Sequence, residues 1–197
     1  MRFLAVFFGA FAAAVCIAQL TSMMDPSKAM TMPLALLQQN SVQKELQMSG
    51  AQKSELKRII DELNEQSSAR GASLGQVSTA FNEANLRAIG ILDEKQRVRF
   101  QEVRYQVLGM RCLGEPDVQT ALALTEDQKA AVKEFEKEET NGLMREAQKG
   151  PSAMGSWQKG KAKREAEIAK ILTPEQAAKL QELYGKPFKD ANKIAGR

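Results

Sequence analysis

Apolar side chains recur every three or four positions along most of the chain, with charged residues between them. Four apolar residues at the spacing i, i+3, i+4 and i+7 illustrate the pattern: Leu56, Ile59, Ile60 and Leu63. This spacing puts them on one face of a helix. No stretch alternates β-branched and polar residues in the way a half-buried strand does. The pattern therefore predicts an all-α protein.

A five-residue pattern introduces four of the predicted helices. It consists of an apolar residue, a residue that caps helices, two variable positions and a glutamine. A Ser, Thr or Asp side chain at the N-cap accepts a hydrogen bond from the backbone N–H three residues on, and the glutamine there reaches back to the N–H of the cap. We expect such a capping box to start a helix at each site. The pairs are Ser49 and Gln52, Asp93 and Gln96, Thr125 and Gln128, and Thr173 and Gln176.

The four motifs form two pairs that repeat along the chain. The first and third motifs lie 76 residues apart, from Met48 to Leu124, and the second and fourth lie 80 apart, from Leu92 to Leu172. Residues before the motifs repeat too, with Val42, Gln43 and Leu46 matching Val118, Gln119 and Leu122. We predict two tandem helical-hairpin units, over residues 33–110 and 111–188, with a flexible tail over 189–197. Because few aromatic residues remain outside the first 18 positions, we expect a thin, open core.

Residues 1–18 have the layout of a secretory signal peptide. A basic residue precedes an apolar run that reaches Ile17, and the small residues Cys16 and Ala18 stand where a signal peptidase cleaves. The run is shorter than the roughly 20 residues of a membrane-spanning helix. We therefore expect a periplasmic or secreted protein with no transmembrane segment after cleavage. The alternative is a lipoprotein anchored through Cys16.

Residues 19–32 show no helical period and are predicted to be a flexible arm. The arm contains Met23, Met24, Met30 and Met32. Thioether ligands suit Cu(I), whereas a zinc site lacks its usual ligands because the chain has no histidine and one cysteine outside the leader. We interpret the methionines as filler and predict neither a metal nor a cofactor. The remaining cysteine, Cys112, is either a buried or unpaired thiol or the partner of a cysteine in another chain.

The absence of histidine also removes the commonest general acid and base. No nucleophile stands beside a base, and no phosphate-binding loop or cofactor fingerprint is recognisable. We therefore predict no catalytic residues. The net charge of +4 is spread over both units, and export separates the protein from nucleic acid, so a nucleic-acid partner is not expected.

The paired motifs resemble those of the LTxxQ family of bacterial envelope proteins, of the Spy and CpxP type. Residues 124–128 and 172–176 read Leu-Thr-x-x-Gln literally, whereas the earlier pair has Ser49 and Asp93 in place of threonine. The duplicated form is also similar to exported planctomycete-type proteins of unknown role. The resemblance implies a small helical protein that holds unfolding proteins without ATP or regulates an envelope stress sensor. Two fused units would then replace two subunits, as a monomeric pseudo-dimer, although the oligomeric state stays open.

From this resemblance we expect a protein-binding module whose partners are unfolded or envelope proteins. The candidate client-binding residues are Arg97, Phe100 and Arg104, because they combine cationic and apolar side chains on one predicted helix. The alternative is a structural or interaction protein of the envelope without chaperone activity. A metal-responsive sensor is a third and weaker hypothesis.

Overall fold

The computed structural model describes residues 32–69 and 73–195, and in these ranges every regular element is helical. The predicted all-α class is thereby confirmed. The predicted leader, nearly all of the predicted arm and Cys16 lie outside the described residues. Among the helices described here, none is long and apolar enough to cross a membrane.

The described residues separate into two compact units, which divide between Phe100 and Gln101. Unit 1 contains α1 (Pro33–Leu37), α2 (Asn40–Glu45), α3 (Gly50–Ser68), α4 (Leu74–Gly90) and the first part of α5 (Glu94–Leu108). Unit 2 contains the rest of α5, a 3-10 helix (Gly109–Gly114), α6 (Pro116–Ala121), α7 (Glu126–Lys149), α8 (Pro151–Lys159), α9 (Lys161–Ala169), α10 (Pro174–Tyr184) and α11 (Ala191–Ile194).

The division within α5 comes ten residues before the boundary that the sequence pattern places between residues 110 and 111. The second part of α5 is bonded to residues that follow it in the chain. Arg104 forms an ion pair with Glu115 at 2.7 Å, and the Tyr105 hydroxyl donates to Asp117 Oδ2 at 2.5 Å. Phe100, Val103 and Val107 of α5 are buried on both sides of the division, and local periodicity alone does not assign them to one unit or the other.

Unit 1 is built on the packing of α3 against α4, with α1 lying against α4. The N–H of Leu34 donates to Asn85 Oδ1 at 3.0 Å, which ties the start of α1 to α4. The largest fully buried side chains of unit 1 are Leu36, Leu37, Val42, Leu56, Ile59, Leu92 and Phe100. Leu56 and Ile59 belong to the apolar stripe that the sequence predicts, Leu63 of that stripe is buried as well, and Ile60 is half-buried.

Unit 2 is organised around its 3-10 helix, which contacts α6, α7 and α9. The core cluster combines Leu113 of this helix with side chains from the helices around it, including Val118, Val132, Phe135, Ile168 and Leu180. The end of the chain also packs, because Phe188 and Ala191 are buried and α11 forms. The segment from residue 189 to 195 therefore differs from the flexible tail that the polar sequence predicts.

The second half of unit 2 contains two consecutive short helices. Helices α8 and α9 are separate and are joined at Gly160. Gly150 has a φ of 99° and turns the chain directly after α7, and Pro151 begins α8. At Gly160 the N–H is shared between the carbonyls of Ser156 and Trp157, and the Arg164 guanidinium donates to the Trp157 carbonyl at 3.0 Å.

A fifth capping box, which is not among the four predicted ones, begins α4. Ser73 Oγ accepts from the N–H of Gln76 at 3.3 Å, and Gln76 Oε1 accepts from the N–H of Ser73 at 2.8 Å. Gly75 lies between the two capping residues, within the first turn of α4. The signal was present in the order Ser-x-x-Gln, hidden by a poor helix former between the two capping residues.

Candidate functional site: the paired capping glutamines

Each predicted motif closes its own helix start by two short-range hydrogen bonds. In the first motif, Ser49 Oγ accepts from the N–H of Gln52 at 3.2 Å, and Gln52 Oε1 accepts from the N–H of Ser49 at 2.9 Å. The same reciprocal bonds occur between Asp93 and Gln96, Thr125 and Gln128, and Thr173 and Gln176. These bonds satisfy backbone donors that a helix start otherwise leaves without an intrahelical partner.

The two glutamines of unit 1 also bond to each other, although they lie 44 residues apart in the chain. Gln52 Nε2 donates to Gln96 Oε1 at 2.5 Å, and Gln96 Nε2 donates to Gln52 Oε1 at 3.1 Å. The second proton of each amide reaches the backbone next to the other motif. Gln52 donates to the carbonyl of Ile91 at 2.8 Å, and Gln96 donates to the carbonyl of Leu46 at 3.0 Å.

Unit 2 repeats this arrangement at equivalent positions. Gln128 Nε2 donates to Gln176 Oε1 at 2.7 Å, and Gln176 Nε2 donates to Gln128 Oε1 at 3.0 Å. The second protons reach the carbonyls of Ile171 at 2.7 Å and of Leu122 at 3.1 Å. We call each set a glutamine clasp, defined as Gln52 with Gln96 in unit 1 and Gln128 with Gln176 in unit 2.

Each clasp uses the full hydrogen-bonding capacity of its amides. A glutamine side chain offers two N–H protons and two acceptor lone pairs. Every clasp glutamine donates twice and accepts twice, once from the N–H of its own cap and once from the opposite glutamine. The clasp therefore has no group left for a ligand, and its role is to join two helix starts.

The turn that leads into the first and third motifs is also duplicated. Gln47 and Ala123 have left-handed backbones, with φ values of 52° and 49°. After Gln47, the N–H of Met48 donates to the carbonyl of Gln43 at 3.0 Å, and the N–H of Leu124 donates to that of Gln119 at 3.0 Å. These six-to-one bonds form a Schellman motif that ends a short helix directly before the clasp. A non-glycine residue pays a steric penalty in this conformation.

The glutamine that precedes each turn makes a further hydrogen bond that occurs in both units. Gln43 Nε2 donates to the carbonyl of Leu37 at 2.8 Å, and Gln119 Nε2 donates to the carbonyl of Leu113 at 3.0 Å. Both acceptors lie at the end of a short helix, where carbonyls lack intrahelical partners. The repeated Val-Gln-x-x-Leu order was the available signal, because two identical polar residues at equivalent sites indicate a shared bond.

The three predicted client-binding residues have different environments. Phe100 is 2% exposed and belongs to the core of unit 1. Arg104 is mostly buried in its ion pair with Glu115. Arg97 is exposed, and its guanidinium donates to the carbonyl of Leu92 at 2.8 Å. The three residues therefore do not form one exposed surface.

Exposed apolar side chains occur elsewhere. Leu74 and Leu86 of α4 are 59% and 71% exposed, Val98 of α5 is 60% exposed and Met144 of α7 is 48% exposed. Leu86, Val98 and Met144, unlike Leu74, each have an arginine next to them in the chain: Arg87, Arg97 and Arg145 respectively. Periodicity missed them because each lies off the apolar stripe of its helix.

Cys112 occupies a core position. It is buried and lies 76 residues after Leu36, which is buried as well. Its Sγ is 3.8 Å from the Tyr184 hydroxyl. Burial raises the pKa of the Cys112 thiol to about 12. The thiol is therefore protonated and sheltered at neutral pH, and it acts as a small apolar side chain.

A cavity of about 360 Å³ lies in unit 1 beside the clasp. Its charged lining residues are Glu45, Asp93, Lys95 and Arg99. Glu45 and Arg99 form an ion pair at 2.5 Å. Because two acidic and two basic groups balance each other, the cavity favours neither an anion nor a cation. In the described part of the chain, no group of three or more Cys, Asp and Glu side chains is arranged to hold a metal ion.

Comparisons of the chain with models of known protein families, with curated proteins and with solved structures gave no match.

Proposed function

We propose that the protein is an exported protein-binding module, of the kind that the LTxxQ resemblance implies, that holds unfolded or envelope proteins without ATP. The observation that carries this proposal is the exposure of the large apolar side chains of Leu86, Val98 and Met144, each of which adjoins an arginine in the sequence. Unfolded chains present both apolar and charged groups, and long cationic side chains present a charge while their stems cover apolar surface. Such sites suit weak capture of many sequences.

The glutamine clasps support the proposal because the residues that fix the helix starts are not the residues on the exposed faces of the helices. Each unit fixes its helix starts with amides whose bonding capacity is used up inside the unit. The exposed faces of the helices therefore need not contribute to folding, and their side chains are available for contacts with other proteins. Sequence variation on those faces would change partners without changing the fold.

The test is light scattering from a chemically denatured client protein that is diluted into buffer with and without the purified protein, in the absence of ATP. We expect suppression of aggregation near equimolar ratios. The triple variant Leu86→Gln, Val98→Gln and Met144→Gln should lose most of this suppression, because it removes the apolar half of each site. No suppression by the natural sequence at any ratio would overturn the proposal.

The control variant replaces exposed polar residues on the same helices and leaves the three exposed apolar residues unchanged. Asn82 of α4 and Asn141 of α7 are exposed on the same helices, so the variant Asn82→Gln with Asn141→Gln should behave like the natural sequence. If both variants lose activity equally, the effect comes from the helix surface in general and not from the three sites.

The second candidate is a structural or interaction protein of the envelope. The burial of Phe100 and the ion pair of Arg104 favour it, because they remove two of the three predicted client contacts from the surface. Under this alternative, crosslinking in cells should capture one stoichiometric partner, whereas a chaperone should give a broad set of clients.

A further inference from the structure

The two units place different side chains at equivalent positions of their paired helices. In unit 2, Glu139 of α7 forms an ion pair with Arg164 of α9, and the Glu139 side chain is 9% exposed. The repeats of 76 and 80 residues place Leu63 and Ala84 at the same two positions in unit 1. Both are buried, on the two helices α3 and α4 that pack together. A charge pair in unit 2 therefore stands where unit 1 has apolar side chains.

A second pair of equivalent positions differs in shape. The Trp157 ring of α8 lies against Gly142 of α7, where an added Cβ would overlap the ring. The equivalent residues in unit 1 are Val77 and Gln66. Val77 is buried and Gln66 is exposed. The Trp157 ring can therefore approach α7 closely because position 142 has no side chain, and α3 does not offer such a position.

The clasps by themselves do not decide which helices pair. Both clasps use the same bonds between the same residue types, and α3 and α7 begin with the same kind of capping box. The order of the helices along the chain favours the natural pairing only modestly, because the entropy of closing a loop rises slowly with loop length. Repeated units of this kind are prone to exchange helices within a chain or between two copies.

The side chains of unit 2 disfavour both exchanged pairings. If α7 packed on α4, Glu139 would meet Ala84 and would be buried without its arginine, and a buried charge without a partner is strongly destabilising. If α3 packed on α8 and α9, Trp157 would meet Gln66 in place of Gly142. The ring would then overlap the side chain of that residue, as it would overlap a Cβ at Gly142.

We infer that unit 2 contains a pairing key, defined as Glu139, Gly142, Trp157 and Arg164, which commits α7 to α8 and α9. The charge of Glu139 excludes α4 as a partner of α7, and the size of the Trp157 ring excludes α3 as a partner of α8. The key supplies specificity and need not supply stability, because unit 1 buries apolar side chains at the equivalent helix positions. It concerns folding and is independent of the proposed function.

The test measures helix pairing after the full protein has been refolded from urea. A reporter protein carries Glu62→Cys and Arg87→Cys, in place of an ion pair between α3 and α4 at 2.7 Å, and loss of this partly exposed pair costs little stability. A short thiol crosslinker joins the two cysteines where α3 and α4 pair, and a denaturing gel separates crosslinks within one chain from crosslinks between two. All proteins carry Cys16→Ser, and Cys112 is buried, so neither natural thiol competes.

The first variant gives unit 2 the residues of unit 1 at the four key positions. Its substitutions, made in the reporter protein, are Glu139→Leu, Gly142→Gln, Trp157→Val and Arg164→Ala. Because unit 1 pairs its helices with this set, the variant should fold but should pair its helices less selectively. The fraction crosslinked within one chain should fall by about twofold, as expected when two pairings have similar free energies. The fall should be larger at high protein concentration, where helices exchange between copies.

The matched control contains all of the natural side chains but exchanges them between the units. It combines the first variant with Leu63→Glu, Gln66→Gly, Val77→Trp and Ala84→Arg. Because the two units again differ, its crosslinked fraction should equal that of the reporter protein. An unchanged fraction in the first variant would overturn the key, and so would an equal fall in the variant and the control. Loss of helix content in the first variant by circular dichroism would overturn it too, because the four residues would then be needed for stability and not for pairing.

Discussion

Units 1 and 2 have the same clasp but different connections between their long helices. In unit 1, α4 is one continuous helix, and Arg87 on it forms an ion pair with Glu62 of α3 at 2.7 Å. In unit 2, the corresponding segment is broken into α8 and α9, and Arg164 joins them to the buried Glu139. The clasp bonds agree from unit to unit in both partners and direction, whereas these interhelical contacts share neither residues nor burial.

The difference separates the contacts that occur in both units from the contacts that occur in only one. A clasp glutamine bonds to four groups at once, so replacing it leaves several of them without partners. The Arg87 and Glu62 side chains are partly exposed, and water replaces their bond at little cost. We therefore expect the two units to respond alike to changes in the clasp and differently to changes in the helices beyond it.

The largest effect should follow removal of a clasp glutamine. Gln52→Ala in unit 1 and Gln128→Ala in unit 2 should each lower the free energy of unfolding by about 2–4 kcal/mol, because the remaining backbone groups and the opposite amide lose partners. Urea denaturation followed at 222 nm measures both variants. Trp157 fluorescence reports unit 2 separately, because the only tryptophan lies there.

The fifth capping box is the control for this prediction. Gln76 caps α4 with the same local bonds as a clasp glutamine, but in the described structure it bonds only to Ser73. Gln76→Ala should therefore cost only about 0.5–1 kcal/mol. If it costs as much as Gln52→Ala, the bond between glutamines contributes nothing beyond the cap.

A change in the contact between the Trp157 ring and Gly142 of α7 should give the next largest effect, and only in unit 2. Gly142→Ala should lower the free energy of unfolding by about 1–3 kcal/mol, because the new Cβ displaces the ring. Gly155→Ala in α8 is the matched control, since a Cβ there meets nothing within 4 Å. It should raise stability by about 0.5–1 kcal/mol through better helix propensity. If both substitutions change the free energy of unfolding in the same direction, the Trp157 ring does not lie against Gly142.

Alkaline pH should weaken unit 2. Burial raises the pKa of Cys112 to about 12 from an ordinary value of 9.0. Burial and the bond to Asp117 raise the pKa of Tyr105 to about 12 from 10.0. The unfolded chain ionises first, so this contribution is complete below about pH 9 and is lost as the pH rises toward 12.

The measurement is the urea midpoint of Trp157 fluorescence at about pH 8 and about pH 10.5, which bracket the ordinary pKa of a thiol. The double variant Cys112→Ala and Tyr105→Phe should show a smaller drop between the two values than the natural sequence. Only the difference between the two proteins counts, because other effects of alkaline pH act on both. Equal drops would contradict the assignment.

The smallest effect should be a gain in stability at the duplicated turn. Ala123→Gly in unit 2 and Gln47→Gly in unit 1 should each raise the free energy of unfolding by about 0.5–1 kcal/mol, because glycine adopts the left-handed backbone without steric cost. Ala130→Gly, at an exposed position inside α7, should lower it by a similar amount. A loss at all three positions would mean that the left-handed turns are not under strain.

Much of the fold followed from local chemistry. The predicted helix starts after Ser49, Asp93, Thr125 and Thr173 coincide with the starts of α3, α5, α7 and α10, because a cap acts over three residues of backbone. The break at Gly160 was not predictable from the same information. It depends on Arg164 taking up the Trp157 carbonyl, and that contact requires α9 to lie beside α8 and Glu139.

The surface was harder to predict than the helices. Phe100 and Arg97 lie three residues apart on α5, yet one is buried and the other exposed. Periodicity gives the direction of each side chain around its own helix, but not which neighbour covers it. For the same reason, the sequence left open whether Cys112 is a buried or unpaired thiol or pairs with another chain. The structure shows that Cys112 is buried in a core, at the position equivalent to Leu36.

The sequence by itself determined where four of the helices begin and that the pattern occurs twice. Both depend on interactions between residues close in the chain, which form in the same way wherever the segment lies. The tertiary structure decided which capping glutamines meet. Gln52 and Gln76 close the same local box, but only Gln52 faces a second motif, because packing of the helices brings Gln96 to it across 44 residues. Contacts of that range follow from burial of whole helix faces, which no short motif encodes.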